Sequence, residues 1–458
     1  MIGQIDIKES PSIPTIRKEG YHKIQPEDDG RNSENLLTET KIISNDLDFD
    51  ALEQVWNELA WVSDTHIFQT FEWNRMWWKH FGTKKRLHIV TVYIGNKLIG
   101  IAPLFEDDVN LFNRKVYSCL RFLGSYVSQP DGEPLIGMGS YSDYLDVIVE
   151  KGFEDSFARV LTEHIQNARL SHDKIILDEV NENSVSIQYL IPQLKRQGLN
   201  ISIKYSSVCT NILLDSSWDL YLNRLSKNNR KKTRKYLKGS NDDENKKYLV
   251  VDALSRYSLE DAISKLVHVH QKQWNNRGFT GTFYEKRMLN FNMDIAQQFN
   301  KNGWLLIKEL TSVNTESETI NSEMYYIYKK RIYSVHGGTD PESSHNKNGV
   351  GNITFTTVLK EAIDNGFQVF DYMRGEEGYK VKRGDKFITN RTVQVHNPSN
   401  NHDLLHHIIK QKIKLYRRIK IEFIQIGLFF RNRHLLDGIR TYWVFLIRRT
   451  RFKRPLSL

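Results

Sequence analysis

The alternation of hydrophobic and polar positions begins at about Lys41, after a polar leader that carries Pro11, Pro14 and Pro26. From Asp50 to Trp61, Leu52, Val55, Trp56 and Leu59 recur at helical spacing, and FQTFEWNRMWWKHF (Phe68 to Phe81) predicts a second, strongly aromatic helix. Leu87 to Leu104 reads as two strands around a Gly95-Asn96 turn, the pattern of a β-hairpin. The second half repeats this order. WLLIKEL (Trp304 to Leu310) predicts a strand, followed by a polar loop to about Glu323; Met324–Tyr328 and Arg331–Val335 then pair around Lys329-Lys330. Each half offers helices, an antiparallel strand pair and a connection toward a further strand, so the pattern predicts a duplicated α/β (α+β) domain. Between the halves a helix starts near Ser216-Ser217 and runs on into SKNNRKKTRKYLK (Ser226 to Lys238), where seven of thirteen residues are Lys or Arg.

The stretch from Arg331 to Tyr372 has its own order. The strand ending at Val335 stops at Gly337-Gly338 and a polar loop follows. Gly349 and Gly351 open a helix with Ile353, Phe355, Val358, Leu359, Ala362 and Ile363 on its apolar face, Gly366 caps it, and Phe367–Tyr372 resumes as a strand. A glycine-bearing loop that feeds a helix N-terminus presents free backbone N–H groups and the positive end of the helix dipole, a place for a phosphate or pyrophosphate. The competing reading is a tight strand-to-helix turn and nothing more.

Charge and cysteine usage narrow the classes. The formal net charge is +10, yet residues 397–458 alone hold fourteen Lys/Arg against three Asp/Glu, which leaves the body near neutrality. Cys119 and Cys209 are the only cysteines, too few for a disulfide framework or a cysteine metal site, so no metal is expected and a reducing compartment is. No secretory pattern and no spanning apolar run is visible, which makes a cytoplasmic location the expectation. The tail from Leu404 to Arg454 interleaves apolar and basic positions. It suits peripheral contact with an anionic membrane face, a helical extension packed on the body, or a protein docking segment.

The spacing Asn346-x-x-Gly349-x-Gly351 resembles the coenzyme A loop of the N-acetyltransferase (GNAT) superfamily, with Asn346 where a long polar side chain is usual. HGGTDP (336–341), NGVGN (348–352) and FDYMRGEEGYK (370–380), together with FQTFEWNRMWW, GIAPLF, SDYLDVIV and the basic segment, are similar to the BioF2-like (CelD/BcsL-type) acetyltransferase branch, over residues 45 to 395. The resemblance implies two tandem GNAT-like lobes, related to the Fem-type aminoacyl transferases, each a mixed, mostly antiparallel sheet flanked by helices. The expected division is a leader (1–39), a first lobe (40–203), a second lobe bearing the donor loop (204–396) and a basic C-terminal extension (397–458). It implies an acyltransferase that moves an acyl group, expected to be acetyl, from acyl-CoA to an amine or hydroxyl of a saccharide or cell-envelope precursor. A Fem-type enzyme using aminoacyl-tRNA, or a non-catalytic basic adaptor on membrane or nucleic acid, are the alternatives.

On this reading Asn346, Lys347, Gly349, Val350, Gly351 and Asn352 bind the donor. Asp371, at a strand end, is the first candidate base, and pairing with Arg374 or capping the following turn is its plain structural alternative. His336 is the second candidate, against a structural hydrogen-bonding role. Lys380 matches a lysine that Fem-like relatives use near the transferred group, and Tyr379 could protonate the leaving thiolate; surface lysine and core tyrosine are the competing readings. The aromatic residues Phe71, Trp73, Trp77 and Trp78 either stack on a sugar or form core. The basic segment 227–238 is either a solvated helix face or a track for a phosphorylated, polymeric or RNA partner.

Overall fold

The computed structural model describes residues 38–111, 114–125, 142–167, 173–238, 247–277, 279–345 and 349–396, with isolated positions 411, 415, 419 and 423 beyond them. The leader, nearly all of the tail, and Asn346 and Lys347 therefore lie outside the described residues.

The first half begins with β1 (Thr38–Ile43), α1 (Asp46–Asp50), α2 (Glu53–Val62) and α3 (Phe71–Phe81). Then come β2 (Arg86–Leu87) and the predicted hairpin, β3 (Ile89–Ile94) with β4 (Lys97–Ala102). A second antiparallel pair, β5 (Leu104–Leu111) and β6 (Arg114–Phe122), leads to β7 (Ile148–Val149), α4 (Glu154–Asn167), β8 (Lys174–Asn181), α5 (Ile191–Arg196) and β9 (Asn200–Leu213). The second half runs α6 (Trp218–Arg224), α7 (Lys227–Lys238), β10 (Tyr248–Asp252), α8 (Leu259–Asn276), α9 (Lys286–Lys301), β11 (Leu305–Ser312), β12 (Thr315–Tyr328) and β13 (Arg331–Thr339). It closes with α10 (Val350–Asp364), β14 (Val369–Arg374), α11 (Gly378–Val381) and β15 (Lys386–His396).

Among the described residues the strands form two sheets. A four-stranded sheet has the order β1-β3-β4-β7, and an eleven-stranded one the order β10-β11-β12-β13-β14-β9-β15-β8-β6-β5-β2. All neighbours are antiparallel except two. β6 runs parallel to β8 over Cys119↔Lys174, Leu120↔Ile175 and Arg121↔Ile176, and β13 runs parallel to β14 over Arg331↔Val369, Ile332↔Phe370 and Tyr333↔Asp371. Each parallel contact lasts three residue pairs and ends, once in each half. That repeat is the duplication the hydrophobic pattern predicted, carried in one mixed α/β architecture.

The largest core cluster joins the halves. Phe68, Trp73, Trp77 and Phe81 of the first half pack with Phe291, Ile295, Phe299 and Tyr326 of the second. Trp73 is met edge-on by Phe291 at 5.1 Å and Tyr326 at 6.1 Å and lies against Phe299 at 6.2 Å, and its Nε1 donates to Ser142 Oγ at 2.8 Å. Phe71, Trp73 and Trp77 are therefore buried core and not a sugar platform; Trp78 is partly buried, with its Nε1 on Asp46.

Three local expectations are corrected. The polar stretch before Glu323 is not a loop: β12 starts at Thr315, because its backbone is paired on one side by β11 and, from Asn321, on the other by β13. β13 continues through Gly337-Gly338 to Thr339, because glycine there lets the α8 backbone approach. A Cβ on Gly338 would lie 2.4 Å from His270 N and 2.5 Å from its Cα. The helix from Ser217 also breaks, at Leu225. Arg230 of α7 turns back and donates to the carbonyls of Leu222 (2.9 Å), Asn223 (3.0 Å) and Leu225 (3.2 Å), satisfying the C-terminal end of α6.

Candidate functional site

The site is built where β13 and β14 part. After Tyr333↔Asp371, β14 turns to β9, with Arg374 opposite Cys209 and Gly375 N donating to Val208 O at 3.0 Å, while β13 stays with β12 to Thr339. The β13 edge beyond Tyr333 is left uncovered by β14. The first turn of α10 stands at the same end. Thr354 Oγ1 donates to Asn321 Oδ1 at 2.6 Å, and Asn321 Nδ2 donates to Gly338 O at 2.9 Å, tying β12, β13 and α10 together.

Gly349 is the N-cap of α10 and sits in the left-handed region at φ 70°, where glycine is the least strained residue. Gly351 differs. A Cβ there would find only ordinary contacts, Glu323 Oε1 at 3.8 Å and Thr339 Oγ1 at 3.9 Å. The fold does not demand glycine at 351, and the bare first turn of α10 keeps its backbone approachable. Val350 is buried and packs with Ile353 and Tyr248, so its backbone alone is available to a ligand. Asn352 is engaged by Arg383, whose Nη2 donates to its Oδ1 at 2.5 Å, while the guanidinium lies 4.5 Å from the Phe355 ring centre.

Side chains alternate across β12 and β14, so the two faces of the opening differ. Toward α10 lie Glu323, Tyr325 and Tyr372. Tyr325 donates its hydroxyl to Glu323, and Arg383 Nη1 donates to Tyr372 Oη at 3.3 Å. Burial raises the Glu323 carboxyl above its ordinary value, against the Tyr325 and Asn321 hydrogen bonds that favour its anion. Glu323 escapes the sequence reading because it falls inside a polar run that looks like a loop; strand alternation with Tyr325 is the signal that places it here.

On the opposite face Asp371 is fully buried and ringed by donors. Its Oδ2 accepts from Tyr144 Oη at 2.9 Å and Arg331 Nη1 at 3.3 Å, and its Oδ1 from Met373 N at 2.8 Å. The Asn211 amide, turned to donate, reaches both oxygens at 3.0 Å. Burial pushes the Asp371 carboxyl up to about 6, with Arg331 pulling the other way. His66, stacked on Tyr144 at 4.0 Å and 3.1 Å from Tyr333 Oη, is held well below the usual imidazole value by the same burial.

The remaining candidates are dispersed. His336 Nε2 meets Asn292 Oδ1 at 2.9 Å beside Phe283 and His270, and burial lowers its imidazole to about 3, so it is neutral. Lys380 is buried, donating to Arg374 O at 2.7 Å with Glu377 at 3.2 Å. Tyr379 is half exposed, edge-on to Tyr372, with burial raising its phenol to about 12. Arg374 pairs with Asp143 (2.6 Å) and Glu179 (3.3 Å), and not with Asp371.

Backbone strain marks the seam beside this opening. Tyr144, Glu179 and Met373 all hold positive φ (57°, 53° and 60°), and each is a member of this polar cluster or the immediate neighbour of one. Leu145 N donates to Glu179 O at 3.0 Å, so the Ser142–Asp146 segment lies against β8 beyond the point where β6 and β8 part.

Residues 227–381 match the family described as "Acetyltransferase (GNAT) domain". That segment is similar to a GNAT domain. It contains the strand opening, α10 and α7. Among solved structures, the crystal structure of FemX is similar over 81% of this chain and 100% of that one, at TM-score 0.54 and 12% identity, a likeness of fold. A C-terminal domain of a putative lysylphosphatidylglycerol synthetase from Agrobacterium fabrum (80% and 96% covered, TM-score 0.44, 8% identity) is also similar. So is a tandem GNAT protein from the clavulanic acid pathway (79% and 100% covered, TM-score 0.39, 10% identity). No curated protein matches the chain. Among the described residues no three His, Cys, Asp or Glu side chains are grouped to hold a metal ion, and no helix is long and apolar enough to cross a membrane.

Proposed function

We propose that this protein transfers an acyl group from acyl-CoA to an amine or hydroxyl acceptor, within the opening between β13 and β14. The observation that carries the reading is the joint position of that opening and the first turn of α10. The pyrophosphate would lie on the α10 backbone amides at Gly349–Gly351, and the pantetheine arm would run along the uncovered β13 edge. Edge N–H groups of β13 are then the donors for the oxyanion of the tetrahedral intermediate.

Glu323 is the proposed base. A carboxyl raised by burial sits nearer the working pH of proton transfer, and Glu323 stands beside both the opening and the α10 mouth. It takes the acceptor proton as the nucleophile attacks the thioester carbonyl; collapse breaks the C–S bond, and Tyr379 protonates the departing thiolate. Asp371 receives a positioning role: with both oxygens held by the chain's own donors, it fixes Arg331, Tyr144 and Asn211 behind the opening. The acceptor we infer is a saccharide or cell-envelope precursor, as in the CelD/BcsL-type branch, met at the cytoplasmic face of a membrane that residues 404–454 touch.

Transfer from aminoacyl-tRNA is the rival, favoured by the cationic surface of α7. Thermal denaturation of the purified chain separates the two. Acetyl-CoA should raise the melting temperature and charged tRNA leave it unmoved; the reverse result rejects the acyl-CoA reading.

A further inference from the structure

The tip of the β12–β13 hairpin is a two-residue turn, Lys329-Lys330, and both residues hold positive φ (48° and 56°). A turn with two left-handed residues is the place for Asn-Gly, and lysine at either position is strained. Each of these lysines makes a contact that a free hairpin tip would lack. The Lys330 carbonyl accepts from Gln368 N at 2.8 Å, at the start of the short β13/β14 pairing. The Lys329 ammonium crosses to the first half, where it donates to Ala60 O at 2.7 Å, Ser63 O at 2.6 Å and Thr65 Oγ1 at 3.0 Å.

An ammonium carries three N–H donors, and these oxygens engage all of them. Two belong to the C-terminal end of α2, where unpaired carbonyls and the helix dipole favour a cation. Thr65 Oγ1 itself donates to Ala60 O at 2.6 Å, so the ammonium ties the end of α2 to the residues that follow it. Those residues reach the opening. His66 stacks on Tyr144 and meets Tyr333, and Tyr144 donates to Asp371 where β13 and β14 part. Residues 63–66 therefore stand between the hairpin tip and Tyr144, with Lys329 at one end and Asp371 beyond the other.

We propose that Lys329 is a positioning residue: its ammonium latches residues 63–66 of the first half to the β12–β13 hairpin, and so holds Tyr144 against Asp371 at the opening. The strained turn separates this latch from an ordinary ion–dipole contact. Asn-Gly would make the better hairpin, but neither residue has a side chain long enough to cross to α2. The latch sets the shape of the opening and holds whichever acyl donor enters it.

Amide hydrogen exchange on the full chain, read by mass spectrometry, tests this in Lys330→Gly, in Lys329→Asn/Lys330→Gly, and in Lys329→Cys before and after aminoethylation. That reaction rebuilds an ammonium at nearly the length of lysine. Cys119 and Cys209 are buried, and the unaltered chain given the same reagent controls for them. Lys330→Gly relieves strain and keeps the ammonium, so residues 60–70 and 142–147 should exchange as in the unaltered chain. The double variant has the favoured turn but no latch. Exchange in both stretches should rise roughly tenfold, the scale of one lost charge-assisted hydrogen bond, while α4 and β10 keep their protection. Lys329→Cys should show the same rise, and aminoethylation should reverse it. An equal rise in Lys330→Gly, or one that aminoethylation leaves in place, overturns the role of the ammonium. Faster exchange in 60–70 with 142–147 unmoved overturns the positioning of Tyr144. A uniform rise that includes α4 and β10 makes Lys329 a contributor to global stability and overturns the proposal, as does no change at all.

Discussion

Replacing Asp371 by asparagine isolates one buried ionisation. In the folded chain this carboxyl is pushed up to about 6 by burial, from an ordinary value of 3.8. A raised carboxyl contributes stability that is complete below its unfolded value and is lost as pH rises through its folded value. The window is therefore about pH 4 to 6. The gap of about two pKa units corresponds to about 3 kcal/mol in full, of which about 2 kcal/mol falls between pH 4.5 and pH 7.5. The amide of the Asp371→Asn variant cannot ionise, so the variant's stability lacks this component. Arg331, 3.3 Å away, favours the ionised carboxylate, and the value of about 6 already contains that pull. Urea denaturation at pH 4.5, 5.5, 6.5 and 7.5 on both proteins, expressed as the wild-type slope with pH minus the variant slope, reads the effect. Wild type should fall relative to its own pH 4.5 value by about 2 kcal/mol more than the variant does. A component that instead rises with pH across the window would show Asp371 to be a depressed, salt-bridged carboxylate and refute the reasoning.

Four further outcomes are expected. Gly338→Ala forces a Cβ into the His270 backbone and should cost about 1–3 kcal/mol in a denaturant titration; a change under about 0.5 kcal/mol would mean α8 does not rest on β13 as described. Gly351→Leu should keep the fold by circular dichroism yet lose acetyl-CoA binding, whereas retained binding would move the donor away from α10. Glu323→Gln should lower kcat by roughly 10²–10⁴-fold with donor affinity unchanged, and a kcat near wild type would exclude it as base. Tyr144→Phe removes one hydrogen bond to Asp371 and should destabilise the chain by about 1 kcal/mol, measured by thermal unfolding.

How much is legible in the sequence depends on whether the signal is local. The Gly95-Asn96 hairpin and the α10 boundaries are readable, since turn glycines, a helical apolar stripe and Gly366 act within a few residues. The aromatic run 68–81 predicts the helix, but only the fold shows that Trp73 faces Phe291 and Phe299 from the other half. Gly337-Gly338 misleads because glycine also serves a strand that another backbone must approach closely. The ring of donors about Asp371 comes from residues 144, 211 and 331, which no spacing rule connects. Glu323 is hidden by a strand whose polar side chains look like a loop until its pairing on both edges is known.

The insertion of β15 between β8 and β9 has a consequence for how the molecule comes into being. Both of these strands belong to the first half, yet the neighbour that joins them is made from residues 386–396, after every other described strand. Until then β8 and β9 each present an unpaired edge, and the central sheet exists as two separate pieces. A nascent chain halted between residues 214 and 385 would expose those edges to other chains, a state prone to intermolecular strand pairing. The first half is thus held open until residues 386–396 have emerged, after all the other described strands.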